Sequence, residues 1–303
     1  MREGVEVVVV GSAGLDTEVF LAADQIDLSR DSQPTTNRDV VGRAGAYAAR
    51  GFARLGRTTR YFGALGDDTA GQVVRRALAF DGVLLDLVFA DPAGTPRTVN
   101  LMTPDGRCRS FSDGRGDRSQ VVPDGLIPLA LQGVQLAHIH LANWDRGALL
   151  PSIGTIAVDL QDVRDLDDEY RADFIASADI VFMSGAHLPD PAAAAQEVVH
   201  RSAVQAVVVG LGADGALAVA RGDEVRHHPA PPLALDIIDR NGAGDSLAVG
   251  FLDAYVLDGT GIDEALLRGQ VAARWACSRV GSENLIDRQQ LDDLVRRSDA
   301  GSR

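Results

Sequence analysis

The stretch from Asp239 to Asp245, Asp-Arg-Asn-Gly-Ala-Gly-Asp, combines residue types that suit phosphate chemistry. Gly242 and Gly244 flank Ala243 and would let backbone N–H groups approach an anion closely. The apolar run that follows, Ser246 to Leu257, has helical spacing, so the loop should open a helix. The free N–H groups and the positive dipole end of that helix favour negative charge. We therefore predict that Gly242, Ala243 and Gly244 stabilise a phosphoryl group during its transfer.

Asp245 falls in the first turn of this predicted helix, where a carboxylate has two common uses. It could cap the helix and complement its dipole, as an isolated Asp often does. It could instead be the general base that takes a proton from a substrate hydroxyl while the neighbouring N–H groups hold the phosphate. Because short glycine motifs recur by chance, the rest of the chain has to decide between the two uses.

Polar side chains follow two of the predicted strands. In open α/β sheets ligands bind outside the carboxyl ends of the strands, and Asp16 lies just beyond the first strand, where it could hold a substrate hydroxyl or only stabilise a turn. His138 and His140 share one face of a later strand and could suit a metal. No third ligand is spaced nearby, which favours ordinary strand residues. Asn143 and Trp144 follow that strand and could line a substrate pocket, although a core position is as common for Trp.

The elements that must position these residues form an alternating pattern. Six short apolar segments are typical of buried strands, namely Val5–Val10, Tyr61–Leu65, Leu136–Leu141, Ile156–Leu160, Ile180–Met183 and Ala206–Leu211. Helix-compatible stretches separate them, which predicts a parallel sheet with helices on both faces. Residues 24–41, which are polar, and residues 84–112, which have hairpin-like turns, interrupt the alternation. We expect segments of about 15–41 and 94–116 to form a small sheet that acts as a lid.

The composition indicates a cytoplasmic protein whose partners are small molecules. The 303 residues suffice for one large α/β domain or two small ones. A net charge of −14 opposes binding to nucleic acid and to anionic membranes. All 29 basic residues are Arg, so no lysine can clamp a phosphate. Cys108 and Cys277 lack metal-ligand spacing, and the run Val5 to Val10 is too short for a signal peptide core with its cleavage site or for a membrane span.

Four stretches, in this order, carry a resemblance to one protein family. The first is Gly11 to Asp16, and the second runs from Gly42 to Gly71 with many small residues. The third is Val207 to Gly215, and the fourth is Asp239 to Asp245. On these stretches the sequence resembles the PfkB (ribokinase-like) family of carbohydrate and nucleoside kinases over nearly its whole length. The resemblance implies a single kinase domain over residues 1–303, with a three-layer α/β/α Rossmann-like (ribokinase-like) fold and a small β-sheet lid.

The resemblance also implies roles for individual residues. Asp245 would be the general base, ATP the phosphate donor and Mg²⁺ the bridge between phosphates. Asp239 resembles a ligand of the family's monovalent-cation site, which would hold K⁺. Five residues would contact the acceptor, a sugar or nucleoside: Asp16, Gly42, Tyr47, Asn143 and Arg164. Four would contact the nucleotide: Gly210, Gly212, Gly215 and Asn241.

Two parts of the chain depart from the family pattern. The family has two adjacent glycines followed by an Asn that holds a sugar hydroxyl, whereas this chain has Gly42 and Arg43 and places Tyr47 where that Asn falls. The family's N-x-x-E element, which organises Mg²⁺ and its waters, falls on Ser184 and His187. Neither residue restores the charge of a carboxylate.

We predict an ATP-dependent carbohydrate kinase, because Gly242 to Asp245 are unaltered. The alternatives are a nucleoside kinase and a ligand-binding or regulatory protein on a kinase scaffold, which the departures from the pattern would suit. We also expect a homodimer. Lid strands at Thr98 to Met102 and Cys108 to Phe111 would leave an apolar face and unpaired edges that a second lid could cover.

Overall fold

The computed structural model describes residues 4–301 except 24, 25, 27, 28, 30, 105–107, 114–119 and 142–153, with side chains described up to residue 298. Asn143 and Trp144, which we expected near the substrate, lie outside the described residues. Cys108 and Cys277 are free thiols. Among the described helices, none has the length and apolar character that crossing a bilayer requires.

The main sheet has eight strands and lies between two apolar cores, as the burial of β1 shows. In spatial order the strands are β14 (Arg226–His228), β13 (Ala216–Ala220), β12 (Ala206–Gly210), β11 (Ile180–Ser184), β10 (Thr155–Asp162), β9 (Leu136–His140), β1 (Val7–Val10) and β4 (Thr59–Phe62). The six from β12 to β4 run parallel, and β13 pairs antiparallel with both β12 and β14. Every residue of β1 is fully buried, and its valines alternate between two apolar cores, one on each face of the sheet.

Helices cover both faces of this sheet. One core contains residues of α1 (Ala44–Arg54), α2 (Thr69–Phe80), α6 (Ala243–Leu252), α7 (Ile262–Ala276) and α8 (Arg288–Gly301). The other contains residues of α3 (Leu126–Leu131), α4 (Glu169–Ser177) and α5 (Pro191–Arg201). The predicted three-layer α/β/α architecture is therefore confirmed.

A second, four-stranded sheet lies outside the alternating pattern. Its strands, in spatial order, are β3 (Thr36–Gly42), β2 (Gly14–Phe20), β7 (Arg97–Met102) and β8 (Cys108–Ser112). The pairs β2–β3 and β7–β8 are antiparallel, and β2–β7 is parallel. We call this the lid sheet. A short parallel pair, β5 (Ala64–Leu65) and β6 (Phe89–Ala90), completes the strands of the described residues. That the lid sheet opens and closes over ligands stays a prediction.

One strand and one helix end differently from what a regular element at the predicted position would show. The strand predicted to end at Leu160 continues to Asp162, and its register shifts between Asp159 and Asp162 around Gln161, which has φ 56°. The helix predicted to end at Leu257 does so, but its last part, Asp253–Leu257, is π-helical.

A buried ion cluster joins the end of this helix to two distant parts of the chain. Asp253 is fully buried, and its carboxylate accepts hydrogen bonds from Arg57 Nε at 2.8 Å and from Arg288 Nη1 and Nη2 at 2.6 Å. Arg57 also pairs with Asp258. Because Arg57 precedes β4 and Arg288 begins α8, the cluster fixes the C-terminal helix to the edge of the sheet.

Candidate active site

The loop that precedes α6 presents one open side. Gly242 has a left-handed conformation (φ 73°) at the N-cap of α6, and no side chain caps the helix. A Cβ on Gly242 would be strained and would lie 2.2 Å from ring carbons of Tyr47, whereas a Cβ on Gly244 would meet nothing within 4 Å. The ring of Tyr47 therefore supports one side of the first turn of α6. The other side is accessible, as an anion-binding helix N-terminus requires.

Asp245 lies in the first turn of α6, and its side chain is 16% exposed. Burial raises the pKa of this carboxyl to about 7, and the negative charge of Asp159 adds to the increase, while the backbone N–H of Asp245 itself acts in the opposite direction. A carboxyl that titrates near neutral pH can accept a proton readily and release it again. This environment suits a general base better than a simple helix cap, whose pKa would be expected to fall.

The two histidines of β9 lie next to this carboxyl. His140 Nδ1 is 3.9 Å from Asp245 Oδ1 and 4.0 Å from Asp159 Oδ2. Burial lowers the pKa of both imidazoles, that of His140 to about 3, so both are neutral at pH 7. Ligand atoms of His138, His140 and Asp159 lie within 4.8 Å of one another, so the fold supplies the third potential metal ligand that sequence spacing did not.

His138 nevertheless packs as an aromatic core residue. Its ring meets Phe52 edge to face, with 6.0 Å between centroids, and lies 6.1 Å from the ring of Phe182. His138 is fully buried, as expected for a residue in that apolar layer. We therefore interpret His138 as part of the core and His140 as the imidazole that borders the base.

Asp16 lies near the start of β2, an inner strand of the lid sheet, opposite Val40 of β3. A Cβ on Gly42 would be only 1.9 Å from Asp16 Oδ2, so the absence of a side chain at position 42 makes room for this carboxylate. Burial raises the pKa of Asp16 to about 6, against the effects of Arg43 and of a hydrogen bond from Thr98. Asp16 Oδ1 has no hydrogen-bond partner among the described residues, which leaves an acceptor for a substrate hydroxyl.

Tyr47, a predicted substrate contact, is only 3% exposed and packs with Ala276 and Leu285 beneath Gly242. Burial raises the pKa of its hydroxyl well above the ordinary value, and several neighbouring carboxylates of the site act in the same direction. The ring therefore supports the loop before α6 directly. Contact with the acceptor stays a prediction.

Asp239 ties the same loop to the turn after α7. It is 1% exposed; Oδ1 accepts a hydrogen bond from Asn241 N at 2.9 Å, and Oδ2 accepts one from Gly281 N at 3.1 Å. Glu18 of β2 is fully buried, and neither of its carboxyl oxygens has a hydrogen-bond partner among the described residues. Burial and the neighbouring Asp239 raise the pKa of Glu18 to about 8. Two buried carboxyls thus meet between the lid sheet and the loop.

The predicted nucleotide residues are distributed over two places. Gly210 ends β12 and faces α6, because a Cβ there would lie 3.5 Å from Leu247 Cδ2. Gly212 and Gly215 belong to the turn into β13, which is closed by a bond from Leu211 N to Gly215 O at 2.8 Å. Asn241 lies instead in the loop before α6, with Nδ2 buried and without a described partner. Nucleotide contact by these four residues stays a prediction.

Arg164, also predicted to contact the acceptor, lies at the Ser184–His187 turn. Its Nη2 is 3.5 Å from His187 Nε2, and that nitrogen is 3.2 Å from Asp162 Oδ2. Ser184 Oγ accepts a hydrogen bond from Ala186 N at 3.3 Å, so it shapes the turn. A carboxylate of β10 therefore lies beside the turn that lacks the expected Glu.

Three residues of the site were missed by sequence reasoning. Glu18 could have been found, because it follows Asp16 by two residues on a strand and must share its face. His140 was considered only as part of a metal pair, and its proximity to Asp245 depends on how strands distant in sequence pack. Arg43 was noted only as a departure from a glycine.

Comparison with known proteins places this site in a family. The chain matches the model described as "pfkB family carbohydrate kinase" over residues 6–152 and 172–288. The chain therefore belongs to the pfkB family of carbohydrate kinases. This confirms the resemblance on which the predictions rested and makes the protein a phosphotransferase with a hydroxyl group as acceptor.

Individual relatives cover almost the whole chain. The acarbose 7(IV)-phosphotransferase of Actinoplanes sp. is 31% identical over an alignment of 303 positions that covers 96% of this chain and 98% of that protein. The structure of a microbiome-derived acarbose kinase, Mak1, has a TM-score of 0.89 at 30% identity and covers 97% of this chain and 100% of its own. Ribokinase of Arabidopsis thaliana, complexed with ribose and ATP, shares the fold with a TM-score of 0.81 at 21% identity, covering 97% of this chain and 99% of its own.

Proposed function

We propose that the chain transfers a phosphoryl group from ATP to a hydroxyl of acarbose or of a closely similar sugar-like acceptor. The observation that carries the proposal is Asp245, a carboxyl with a pKa of about 7 at the uncapped N-terminus of α6. The choice of acceptor is supported by two relatives that are named for acarbose. Their sequences are 31% and 30% identical to this chain over nearly its whole length.

In this proposal the residues around α6 perform the transfer. Asp245 takes the proton of the acceptor hydroxyl. At the same time the hydroxyl oxygen bonds to the terminal phosphorus of ATP, and the bond from that phosphorus to ADP breaks. The N–H groups of Gly242 to Gly244 stabilise the charge on the phosphoryl oxygens. Asp16 accepts a hydrogen bond from the acceptor and fixes its position. A base with a pKa near 7 is substantially deprotonated at neutral pH, so it needs no separate activation.

Asp162 provides a carboxylate for Mg²⁺ at the turn that lacks the family's Glu. Its side chain is 52% exposed and lies 3.2 Å from His187 Nε2. Because Mg²⁺ usually keeps several waters and binds proteins through one or two carboxylates, this position fits a hydrated ion. When bound, Mg²⁺ would offset the negative charge of the nucleotide phosphates, and Asp162 would hold its waters.

Asp239 and Glu18 fit a monovalent cation such as K⁺. Each oxygen of Asp239 accepts one backbone N–H and keeps a second lone pair, and both oxygens of Glu18 are buried without described partners. A cation between them would offset the repulsion of the two carboxyls. It would also fix the loop before α6 in place.

The alternative of a regulatory protein on a kinase scaffold rests on the loss of the N-x-x-E pair at Ser184 and His187. The neighbouring carboxylate of Asp162 weakens that argument, and Asp245 retains the environment of a base. Nucleoside phosphorylation is the alternative within the family. We also propose a cytoplasmic location, since the reaction depends on a supply of ATP.

The test measures ADP release by the purified chain with Mg²⁺-ATP and, in separate reactions, acarbose, ribose and adenosine. We expect phosphorylated acarbose, detected by mass spectrometry, and a rate of product formation roughly 10²- to 10⁴-fold lower with Asp245→Asn under the same conditions. Preferential phosphorylation of adenosine would replace the proposed acceptor. Binding of acarbose without any product would instead support the regulatory alternative.

A further inference from the structure

Arg43 has a backbone conformation that only glycine adopts easily. At φ 70° and ψ 153° it precedes α1 and makes no capping hydrogen bond through its side chain. Among the described residues, Gln161 is the other non-glycine residue with positive φ. A side chain in this region costs free energy, and such conformations persist where the surroundings fix them, often at functional sites. The pfkB pattern has glycine at this position, so the chain tolerates strain there to present an arginine.

The side chain of Arg43 occupies the space beside Gly14. A Cβ built on Gly14 would lie 3.1 Å from both Cδ and Nε of Arg43. A larger residue at position 14 would therefore displace the guanidinium. Arg43 Nε and Nη2 are buried, and neither has a hydrogen-bond partner among the described residues. Buried guanidinium donors without partners are costly, so their arrangement calls for an external acceptor.

A charged neighbour of Arg43 is Asp16, the carboxylate that holds the acceptor in the proposed function. Burial raises the pKa of Asp16 to about 6, and the positive charge of Arg43 offsets part of that increase. Yet Asp16 Oδ1 and two Arg43 nitrogens all lack hydrogen bonds to described residues. One acceptor and two donors thus lie close together without bonding to each other. A group that can both donate and accept hydrogen bonds, such as the hydroxyls of a sugar ring, complements this arrangement.

We propose that Arg43 binds the acceptor sugar, with Nε and Nη2 donating hydrogen bonds to its oxygens beside the hydroxyl that Asp16 holds. This inference rests on the proposed function, because it needs a hydroxyl-rich acceptor at Asp16. Asp16 lies near the start of β2 and Arg43 directly follows β3, so both residues lie at the same end of the lid sheet. The class of ligand is a ring with at least two neighbouring oxygens, since the planar fork of Arg offers parallel donors.

Three substitutions at position 43 separate binding from backbone strain. Arg43→Gly removes the guanidinium and also removes the strain. Arg43→Ala removes the guanidinium but keeps a Cβ at positive φ. Arg43→Lys keeps the charge without the planar fork. Gln161→Gly is the matched control, because it relieves the second positive φ while leaving Arg43 in place.

We would measure the melting temperature and the Kd for acarbose and for ATP by calorimetry, using the full chain. Arg43→Gly should raise Tm by about 2 °C and weaken acarbose binding by about tenfold or more, with the Kd for ATP nearly unchanged. Arg43→Ala should lose the same affinity without the gain in Tm, and Arg43→Lys should be intermediate. Gln161→Gly should gain Tm and keep acarbose affinity.

The inference is overturned if Arg43→Gly binds acarbose as the unchanged chain does. It is also overturned if this variant loses Tm together with affinity for both ligands, because a purely structural arginine would behave so. Binding and phosphorylation of acarbose by the chain without substitutions test the proposed function separately. If that chain neither binds nor phosphorylates acarbose, the proposed function and this inference fall together.

Discussion

At the scale of single residues, the environment of Asp245 links structure to catalysis. Its carboxyl borders a neutral imidazole and a second buried carboxyl, and no Arg pairs with it among the described residues. An arginine partner would lower the pKa of this group and weaken it as a base. Burial and like charge therefore give Asp245 the near-neutral pKa that its proposed role as base needs.

Replacing Asp245 by Asn should abolish most phosphoryl transfer and leave ATP binding intact. The amide keeps the size of the side chain and hence the shape of the loop, but it cannot take a proton. A positioned general base contributes roughly 10² to 10⁴ in rate. Initial rates and ATP titrations on both proteins provide the measurement. A variant with near-normal kcat for its best acceptor would exclude Asp245 as the base.

Replacing Asp159 by Asn should shift the acid limb of the pH–rate profile to lower pH. The negative charge of Asp159 raises the pKa of Asp245, and the active form of the base is deprotonated, so removing that charge lets the base work at lower pH. Asn can still accept the 2.7 Å hydrogen bond that Gln161 N donates to Asp159. The check is kcat/KM as a function of pH; an unmoved limb would mean that another group controls it.

Sequence could predict those residues whose roles depend on their neighbours in the chain, and not those whose roles depend on tertiary packing. Asp245 and the glycines before it form a loop and a helix start within a few residues, so their types and spacing were informative. The setting of His140 depends on the packing of β9 beside β10 and α6, which no local pattern encodes. Arg43 could not be predicted for another reason, because its positive φ is a backbone conformation that arginine rarely adopts.

At the scale of elements, the lid sheet has two different faces. Asp16 and Glu18 of β2 point inward with Asn100 of β7, and all three are buried. Val99 and Phe111 are cross-strand partners on the opposite face, where they are 41% and 55% exposed. The hairpin was foreseen from turn residues and alternation, whereas its parallel pairing with β2 was not, because parallel contacts join segments far apart in sequence.

We predict that two copies of the chain associate through this outer face. Exposed apolar residues lie on a sheet whose outer edges, along β3 and β8, have no further strand beside them among the described residues. Both features favour burial against a second lid sheet. Val99→Asp with Phe111→Asp should convert a dimer into a monomer, measured by light scattering at micromolar concentration. Phe80→Asp, at an 85% exposed residue of α2, is the control. A monomeric unchanged chain would contradict the prediction.

At the scale of the whole molecule, the buried carboxyls should make the free energy of unfolding depend on pH. Folding raises the pKa of Asp16 and Asp159 to about 6, of Asp245 to about 7 and of Glu18 to about 8. The folded chain therefore binds more protons than the unfolded chain, and stability should fall as pH rises from about 5 to about 8. The buried His138 and His140, with lowered pKa values, act in the opposite direction in the acidic part of this window and offset part of the decline.

Thermal unfolding between pH 5 and pH 9 checks this dependence. We expect the Tm to fall between pH 5 and about pH 8 and then to level off, with a smaller decline in Glu18→Gln. The amide cannot ionise, so it removes one of the groups responsible. A Tm that rises steadily up to pH 8.5 would show that these carboxyls ionise in the folded protein at little cost.

The ion cluster at Asp253 should dominate the stability of the C-terminal half. Asp253→Ala leaves Arg57 and Arg288 without their buried partner, which typically costs about 3–5 kcal/mol. Chemical denaturation measures the change in the free energy of unfolding. Asp293→Ala, which removes an exposed partner of Arg296 on α8, is the control and should cost under about 1 kcal/mol. Equal effects would show that solvent reaches the cluster at Asp253.

The contact between Gly42 and Asp16 has a consequence for how this chain can change over generations. Any side chain at position 42 would collide with the Asp16 carboxylate, which holds the acceptor in the proposed function, since the distance is only 1.9 Å. Position 42 therefore cannot gain a side chain while Asp16 keeps its place. In a library that randomises both, Gly42→Ala should survive only beside a shorter residue at position 16, and never in a variant that still phosphorylates. If Asp16 and Arg43 both contact the acceptor as proposed, the lineage can alter its acceptor more easily around Arg43 than at the Asp16 carboxylate itself.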